Sequence, residues 1–224
     1  MEMNLSETAY LVPNDQGFDL RWFTPTVEVD LCGHATIAAS VALVHLGQLT
    51  DGAELDFSTR SGILKAHRNG SRIDLDFPAL PTQSCEPPPE LLEALNVSPQ
   101  SVGRSAYDYL VEVESQEVLQ SVSPNFKQLA TIPCRGVIVT APSDDPQFDF
   151  ASRFFAPAVG VDEDPVCGSA HCCLAPYWSE KLGKSKLVGY QASARSGIVY
   201  VETKGERVML GGEGVIFSSG EIWA

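Results

Sequence analysis

Positive charge is scarce in this chain. Fifteen lysines and arginines stand against 29 aspartates and glutamates, giving a formal net charge of −14 and a sequence pI near 4.6. A field of that sign repels phosphate backbones and anionic lipid headgroups, so neither nucleic acid nor a membrane surface is expected as a partner. Long apolar runs are also missing. A spanning helix needs roughly 18 such residues, and the best stretch, Ala35 to Leu46, is interrupted by Thr36, Ser40 and His45. The opening Met1-Glu2-Met3-Asn4 has no basic n-region and no apolar h-region, so no secretory leader and a cytoplasmic location are expected. No Gly-x-Gly-x-x-Gly or Walker-type loop occurs, which leaves nucleotide cofactors without a seat.

Cysteine is present but not in a pattern that staples a fold. The six residues are unevenly spaced and include the adjacent pair Cys172-Cys173, which reads as reduced thiols rather than a disulfide framework. Cys167, His171 and Cys172 lie close together, yet no second ligand pair accompanies them, so no structural metal site is expected. What the chain does have is 44% hydrophobic and 20% charged residues over 224 positions. That suits a globular protein with one large core or two of about 100 residues each.

An internal repeat decides between these. Arg21-Trp22-Phe23-Thr24-Pro25-Thr26-Val27-Glu28-Val29-Asp30 is answered by Arg153-Phe154-Phe155-Ala156-Pro157-Ala158-Val159-Gly160-Val161-Asp162 at an offset of 132. Counting three residues, Glu163-Asp164-Pro165, as an insertion brings Cys32-Gly33-His34-Ala35 onto Cys167-Gly168-Ser169-Ala170 at an offset of 135. The same offset carries Arg60-Ser61-Gly62-Ile63-Leu64 onto Arg195-Ser196-Gly197-Ile198-Val199 and the turn Asn69-Gly70 onto Lys204-Gly205. Two copies of one unit imply two similar domains.

Each copy reads as an aromatic, β-branched strand, a Cys-Gly turn, a small-residue apolar helix and a hairpin. Helices are expected near residues 35–46 and 170–181, and strands near 53–58, 62–67 and 71–77, repeated near 186–193, 197–203 and 206–210. The proline-rich stretch from Pro78 to Pro89 reads as the linker. The expected domains are therefore residues 1–82, which residues 213–224 would complete, and residues 83–212. The second opens with strands near 107–113 and 136–140 and a short helix near 116–119. It carries a longer lead-in than the first, which looks N-terminally short on the logic of the repeat.

In both copies a Cys-Gly pair stands where a strand hands over to a helix. Unpaired N–H groups and the positive end of the helix dipole meet there, and together they suit a carboxylate. If the copies face one another, side chains from both reach opposite sides of one carbon, as a two-base proton transfer requires. The candidate acids and bases are Glu7, Cys32, His34, Asp164, Cys167 and Ser169, with Gly33, Gly168 and Ala170 offering backbone N–H groups. A thiol at a helix start is acidified, whereas a carboxylate in a dry site is shifted upward. Blander roles compete with each of these: buried thiol for the cysteines, turn or cap former for Asp164, a self-bonded first-turn histidine for His34, a surface glutamate for Glu7.

Asn4-Leu5-Ser6-Glu7-Thr8, Arg21-Trp22-Phe23-Thr24-Pro25, Leu31-Cys32-Gly33-His34-Ala35-Thr36 and Glu163-Asp164-Pro165-Val166-Cys167-Gly168-Ser169-Ala170-His171 together resemble the PhzF-like phenazine-biosynthesis family of the diaminopimelate-epimerase superfamily. The resemblance implies an α/β (α+β) fold of two pseudo-symmetric domains, each a curved, mostly antiparallel sheet wrapped around a central helix. It further implies a homodimeric isomerase without metal or cofactor that moves a proton on a small carboxylate such as trans-2,3-dihydro-3-hydroxyanthranilate or an amino acid. Glu7 would be the acid/base, His34 and Asp164 would assist it, and Ser169 would bind substrate. Cys167 stands where many members carry threonine, and paired Cys-Gly motifs are a feature of the related epimerases. A two-thiol racemase therefore stays open as an alternative, as does a truncated, non-catalytic homologue that binds a protein partner.

Overall fold

A computed structural model describes residue 5 and residues 7–221. The chain forms two compact units; the first runs to Asp76 and resumes at Gly211, and the second is Phe77–Leu210.

In the first unit β1 (Thr8–Asn14) and β2 (Gly17–Phe23) form an antiparallel hairpin, and the short β3 (Glu28–Val29) folds back on β2. Then follow α1 (Gly33–His45), β4 (Glu54–Thr59), β5 (Gly62–Asn69) and β6 (Arg72–Pro78). The strand order is β1-β2-β4-β5-β6. β2 and β4 are the parallel pair, because α1 carries the chain back across the sheet between them. β1 with β2, β2 with β3, β4 with β5 and β5 with β6 pair antiparallel.

The second unit comprises β7 (Gln83–Ser84), α2 (Pro89–Leu95), β8 (Ser101–Arg104), β9 (Asp108–Glu112), α3 (Gln116–Ser121) and α4 (Phe126–Leu129), followed by β10 (Gly136–Pro142), β11 (Phe150–Ala156) and β12 (Val161–Asp164). It ends with α5 (Gly168–Leu182), β13 (Lys186–Gln191), β14 (Gly197–Lys204) and most of β15 (Arg207–Gly212). Its strand order is β15-β14-β13-β11-β10-β9-β8-β7, with β12 on β11. The α5 crossover makes β11 and β13 parallel, as α1 does for β2 and β4. The expected mixed α/β class, a curved sheet with few helices, is what forms.

β5 and β14 have the same bounds at an offset of 135, and so do the helix starts Gly33 and Gly168. Both helices begin two residues earlier than the apolar pattern predicts, so each cysteine is the N-cap and each glycine the first helical residue. The crossing from first to second unit falls inside β6, between Asp76 and Phe77. The prolines beyond it start a helix instead of forming a bare linker: Pro88 is the N-cap of α2 and Pro89 its first residue, where a missing N–H costs nothing.

Helix α1 buries Ala35, Thr36, Ala39, Ser40 and Leu43. Its two buried hydroxyls return their protons to the helix, Thr36 to the Cys32 carbonyl at 2.7 Å and Ser40 to the Thr36 carbonyl at 2.8 Å, so small polar residues pack as apolar ones. Past β15 the chain lies along this helix: a Cβ at Gly214 would stand 3.3 Å from Val41. Helix α5 contains Pro176, which cannot donate to the Cys172 carbonyl four residues back. The Leu80 N–H fills that acceptor at 3.0 Å, so the helix runs on without an orphaned group.

Candidate active site

In the first unit the hairpin β1–β2 and the start of α1 bring Glu7, Cys32 and His34 together. Glu7 immediately precedes β1, and its Oε2 lies 2.9 Å from His34 Nε2. Cys32 Sγ is 3.7 Å from the same nitrogen and 3.9 Å from Nδ1. Cys32 is buried, whereas the His34 side chain keeps 41% of its exposure and that of Glu7 keeps 20%. The Cys32 sulfur, and next the Glu7 carboxylate, raise the His34 imidazole from its ordinary range to about 10. At neutral pH the arrangement is therefore an imidazolium facing a carboxylate. His34 does not bond its own backbone as a first-turn histidine would; it reaches back to Glu7.

In the second unit the equivalent turn holds Cys167, Gly168, Ser169 and Ala170. Cys167 Sγ lies 3.3 Å from Ser169 Oγ. Burial, and then the Asp164 charge, push the Cys167 thiol up to about 12, so it stays protonated near neutrality. The dipole effect expected to acidify a thiol at a helix start is outweighed here by desolvation. Asp164 Oδ1 accepts the Val166 N–H at 2.9 Å, bending the chain towards the helix. The turn-forming role is thus real, and it orients the carboxylate at the same time.

Neither cysteine caps its helix through the side chain. The first intrahelical bonds are Thr36 N–H to Cys32 O at 3.1 Å and His171 N–H to Cys167 O at 3.4 Å. The N–H groups of residues 33–35 and 168–170 accordingly have no acceptor within their own helices. Gly33, Gly168 and Ala170 supply backbone in this way, with no side chain beyond a methyl group in the path.

The strand registers locate the difference between the copies. Trp22 pairs with Val29 in the first unit and Phe154 pairs with Asp164 in the second, so Asp164 occupies the position of Val29. A repeated ion pair agrees: Arg21 binds Glu28, and Arg153 Nε binds Glu163 Oε1 at 2.7 Å. The three extra residues therefore fall earlier than Glu163-Asp164-Pro165, between Phe155 and Glu163, where Pro157–Val159 form a 3₁₀ turn and the β11–β12 ladder shifts register. Similarly, Thr8 pairs with Phe23 and Val137 with Phe155, which sets Glu7 against Gly136. A Cβ at Gly136 would meet the Phe154 ring at 2.4 Å and the Phe155 carbonyl oxygen at 2.9 Å. The acid of the first unit thus has a counterpart with no side chain, and the acid of the second stands where the first has valine.

Two buried residues of this site were not foreseen. Gln191, at the end of β13, accepts the Cys167 N–H at 2.9 Å and donates to the Asp164 carbonyl at 2.6 Å, clamping the loop from both ends. His171 Nδ1 donates to the Cys167 carbonyl at 2.8 Å, the task Thr36 performs in the first unit. Burial pushes His171 down to about 4, so it is the neutral ring. The offset of 135 pairs Thr36 with His171 and was a usable signal; Gln191 lies where the hairpin lengths differ and left none.

A duplicated curved-sheet unit, with a helix-start cysteine in each copy and one carboxylate in each at unmatched positions, places the chain in the epimerase-like fold class. The family model described as phenazine biosynthesis-like protein (PhzC-PhzF) matches residues 1–220, and the chain belongs to that family. A relative in Halalkalibacterium halodurans, named an uncharacterized isomerase, is 49% identical over 222 residues, covering 99% of this chain and 84% of the relative. The crystal structure of a PhzF-family protein from Enterococcus faecalis superposes with a TM-score of 0.94 at 38% identity, over all of this chain and 85% of that one. A probable proline racemase from Agrobacterium radiobacter shares the fold at a TM-score of 0.58 and 13% identity, over 97% of this chain and 76% of that one. The chain is an isomerase of the PhzF family, and among its described residues no helix is long and apolar enough to cross a membrane.

Proposed function

We propose that the chain isomerises a small carboxylate, cyclic like dihydro-hydroxyanthranilate or amino-acid-like, by moving one proton with Glu7 and without a cofactor. The observation that carries this is the Glu7–His34 pair at 2.9 Å. A cationic His34 keeps Glu7 in its charged form until a carbon acid gives up its proton. It then stabilises the negative charge that passes to the substrate. Asp164 and Ser169 hold and polarise the substrate, and the N–H groups of Gly168 and Ala170 bind its carboxylate. The family resemblance supports a homodimer in the cytoplasm as the working form.

The two-thiol alternative fares worse. Its second base would be Cys167, whose thiol is pushed up to about 12 by burial and by Asp164, far from the near-neutral value that efficient proton transfer needs. The deciding experiment follows deuterium uptake from heavy water by proton NMR, on dihydro-hydroxyanthranilate and a panel of amino acids. Uptake is expected with the native chain and is lost in Glu7→Gln, whose Trp fluorescence and unfolding midpoint stay native-like. Undiminished uptake in Glu7→Gln, with loss in Cys32→Ser and Cys167→Ser, would hand the chemistry to the thiols. No uptake from a folded chain on any substrate would favour a non-catalytic, protein-binding role.

A further inference from the structure

Glu7, Cys32 and His34 are more than an acid/base pair with a bystander thiol. A carboxylate oxygen, a sulfur and an imidazole nitrogen lie within 4.8 Å of one another, and among the described residues no other group of three histidine, cysteine or acidic side chains converges like this. The shared nitrogen is Nε2, at 2.9 Å from Glu7 Oε2 and 3.7 Å from Cys32 Sγ. Zinc binds sulfur at about 2.3 Å and nitrogen or oxygen at about 2.0–2.2 Å, which in a tetrahedron separates neighbouring donors by about 3.2–3.6 Å. The two spacings that meet at Nε2 bracket that range, and the Glu7 oxygen and the Cys32 sulfur, no more than 4.8 Å apart, close on the ion as it binds.

We propose that this triad is a binding site for a borderline-soft divalent cation, zinc above all, which switches the enzyme off by taking its base. Three protein donors of the types zinc takes, sulfur, nitrogen and oxygen, with a fourth position open, match the ligand count of catalytic-type zinc sites. The thiolate and imidazole select against magnesium and calcium, which require oxygen. Coordination displaces the His34 Nε2 proton and the Cys32 thiol proton to solvent, the thiolate and carboxylate then neutralise the ion's two charges, and the chain's net charge of −14 raises the local concentration of cations. Glu7 and Cys32 lie largely inside the protein, so an ion bound there sheds much of its water, while the partly exposed His34 leaves a way in. The ion competes with the substrate's proton for Glu7; it is an inhibitor and not a cofactor. The cysteine cluster of the second unit offers no such shell, because His171 Nδ1 is bound to the Cys167 carbonyl at 2.8 Å and its Nε2 faces Gly189 across 3.3 Å from where a Cβ would sit.

The existence of the site is independent of the proposed reaction; its inhibitory effect rests on it. Cobalt(II), a coloured stand-in for zinc, is titrated anaerobically into the full chain. One equivalent should give a thiolate-to-cobalt charge-transfer band and the intense visible absorption of a tetrahedral ion, and zinc chloride should bleach both. Cys32→Ser should remove the charge-transfer band, His34→Ala should weaken binding at least about 10-fold, the lower limit even for second-shell losses, and Cys167→Ser should leave the spectrum unchanged. Zinc should stop deuterium uptake, and a chelator should restore it. No charge-transfer band with the native chain, or one that survives Cys32→Ser but not Cys167→Ser, overturns the site. The expected spectra from a chain that exchanges no deuterium would uphold the site and defeat the isomerase instead.

Discussion

Gln191→Leu should destabilise the second unit by about 1–4 kcal/mol. Gln191 is fully buried and its amide closes two backbone groups at once, the Cys167 N–H at 2.9 Å and the Asp164 carbonyl at 2.6 Å. Leucine fills nearly the same volume but leaves both groups unpaired, at about 1–3 kcal/mol each. Burying an apolar side chain in place of the amide returns about 1–2 kcal/mol, which leaves about 1–4 kcal/mol. For a chain of this size that lowers the melting temperature by about 2–16 °C. Urea unfolding followed by the fluorescence of buried Trp178 reads the loss. Gln191→Glu sharpens the test: its carboxylate still accepts from Cys167, yet only the protonated form donates to the Asp164 carbonyl. The introduced carboxyl has its folded pKa raised above its unfolded value, so its stabilising contribution is present at acid pH and lost as pH rises through the folded value. A loss below about 1 kcal/mol for Gln191→Leu, or a Gln191→Glu deficit that does not shrink on acidification, would refute the clamp.

Two further outcomes follow from named contacts. His34 should remain an imidazolium past neutrality and titrate near 10, as its Cys32 and Glu7 partners require; Cys32→Ser or Glu7→Gln should move the midpoint down towards the ordinary histidine range in a proton–nitrogen NMR titration. Because the folded pKa is raised, the pair's stabilisation is complete below about 6.5 and lost as pH climbs through about 10. With 41% of the His34 side chain exposed, solvent screening holds that stabilisation to about 1 kcal/mol. Gly136→Ala should cost about 1–3 kcal/mol by overpacking, because the new methyl meets the Phe154 ring at 2.4 Å; an unchanged urea midpoint would show that this end of β10 is free to relax.

Much of the architecture could be read from the residues because the chain says it twice. Arg-aromatic-Phe, Cys-Gly and the Gly-led hairpin recur at fixed offsets, and the structure repeats β5 as β14 and α1 as α5 at the same spacing. The parts that occur once were harder to see. α2 starts on two prolines, which argue against a helix everywhere except at its first turn, and β8 is a four-residue strand without alternation long enough to register. Glu7, His34 and Cys32 were named from motifs, but their convergence needed the β1–β2 register that places Glu7 beside a helix start 25 residues further on. Gln191 escaped because a glutamine at a strand end has no periodic signature; its meaning lies wholly in which two backbone groups it meets.

The misplaced insertion is the most instructive difference. Counting identities put three extra residues at Glu163-Asp164-Pro165 and made Asp164 look like an added acid. The ladders instead set Asp164 opposite Phe154, as Val29 is set opposite Trp22, and put the extra length in the turn at Pro157–Val159. Asp164 is thus a substitution within a kept framework, and so is Glu7 against Gly136. Each copy has kept the Cys-Gly helix start and the arginine–glutamate brace, which hold the backbone, and differs at the side chains proposed for the chemistry. A symmetric pair of thiols would have demanded matched surroundings, yet Cys32 faces an imidazole at 3.7 Å and Cys167 a hydroxyl at 3.3 Å. Divergence at these few positions leaves the two copies with unlike helix starts, and on the proposed mechanism the proton is left to the single carboxylate at Glu7.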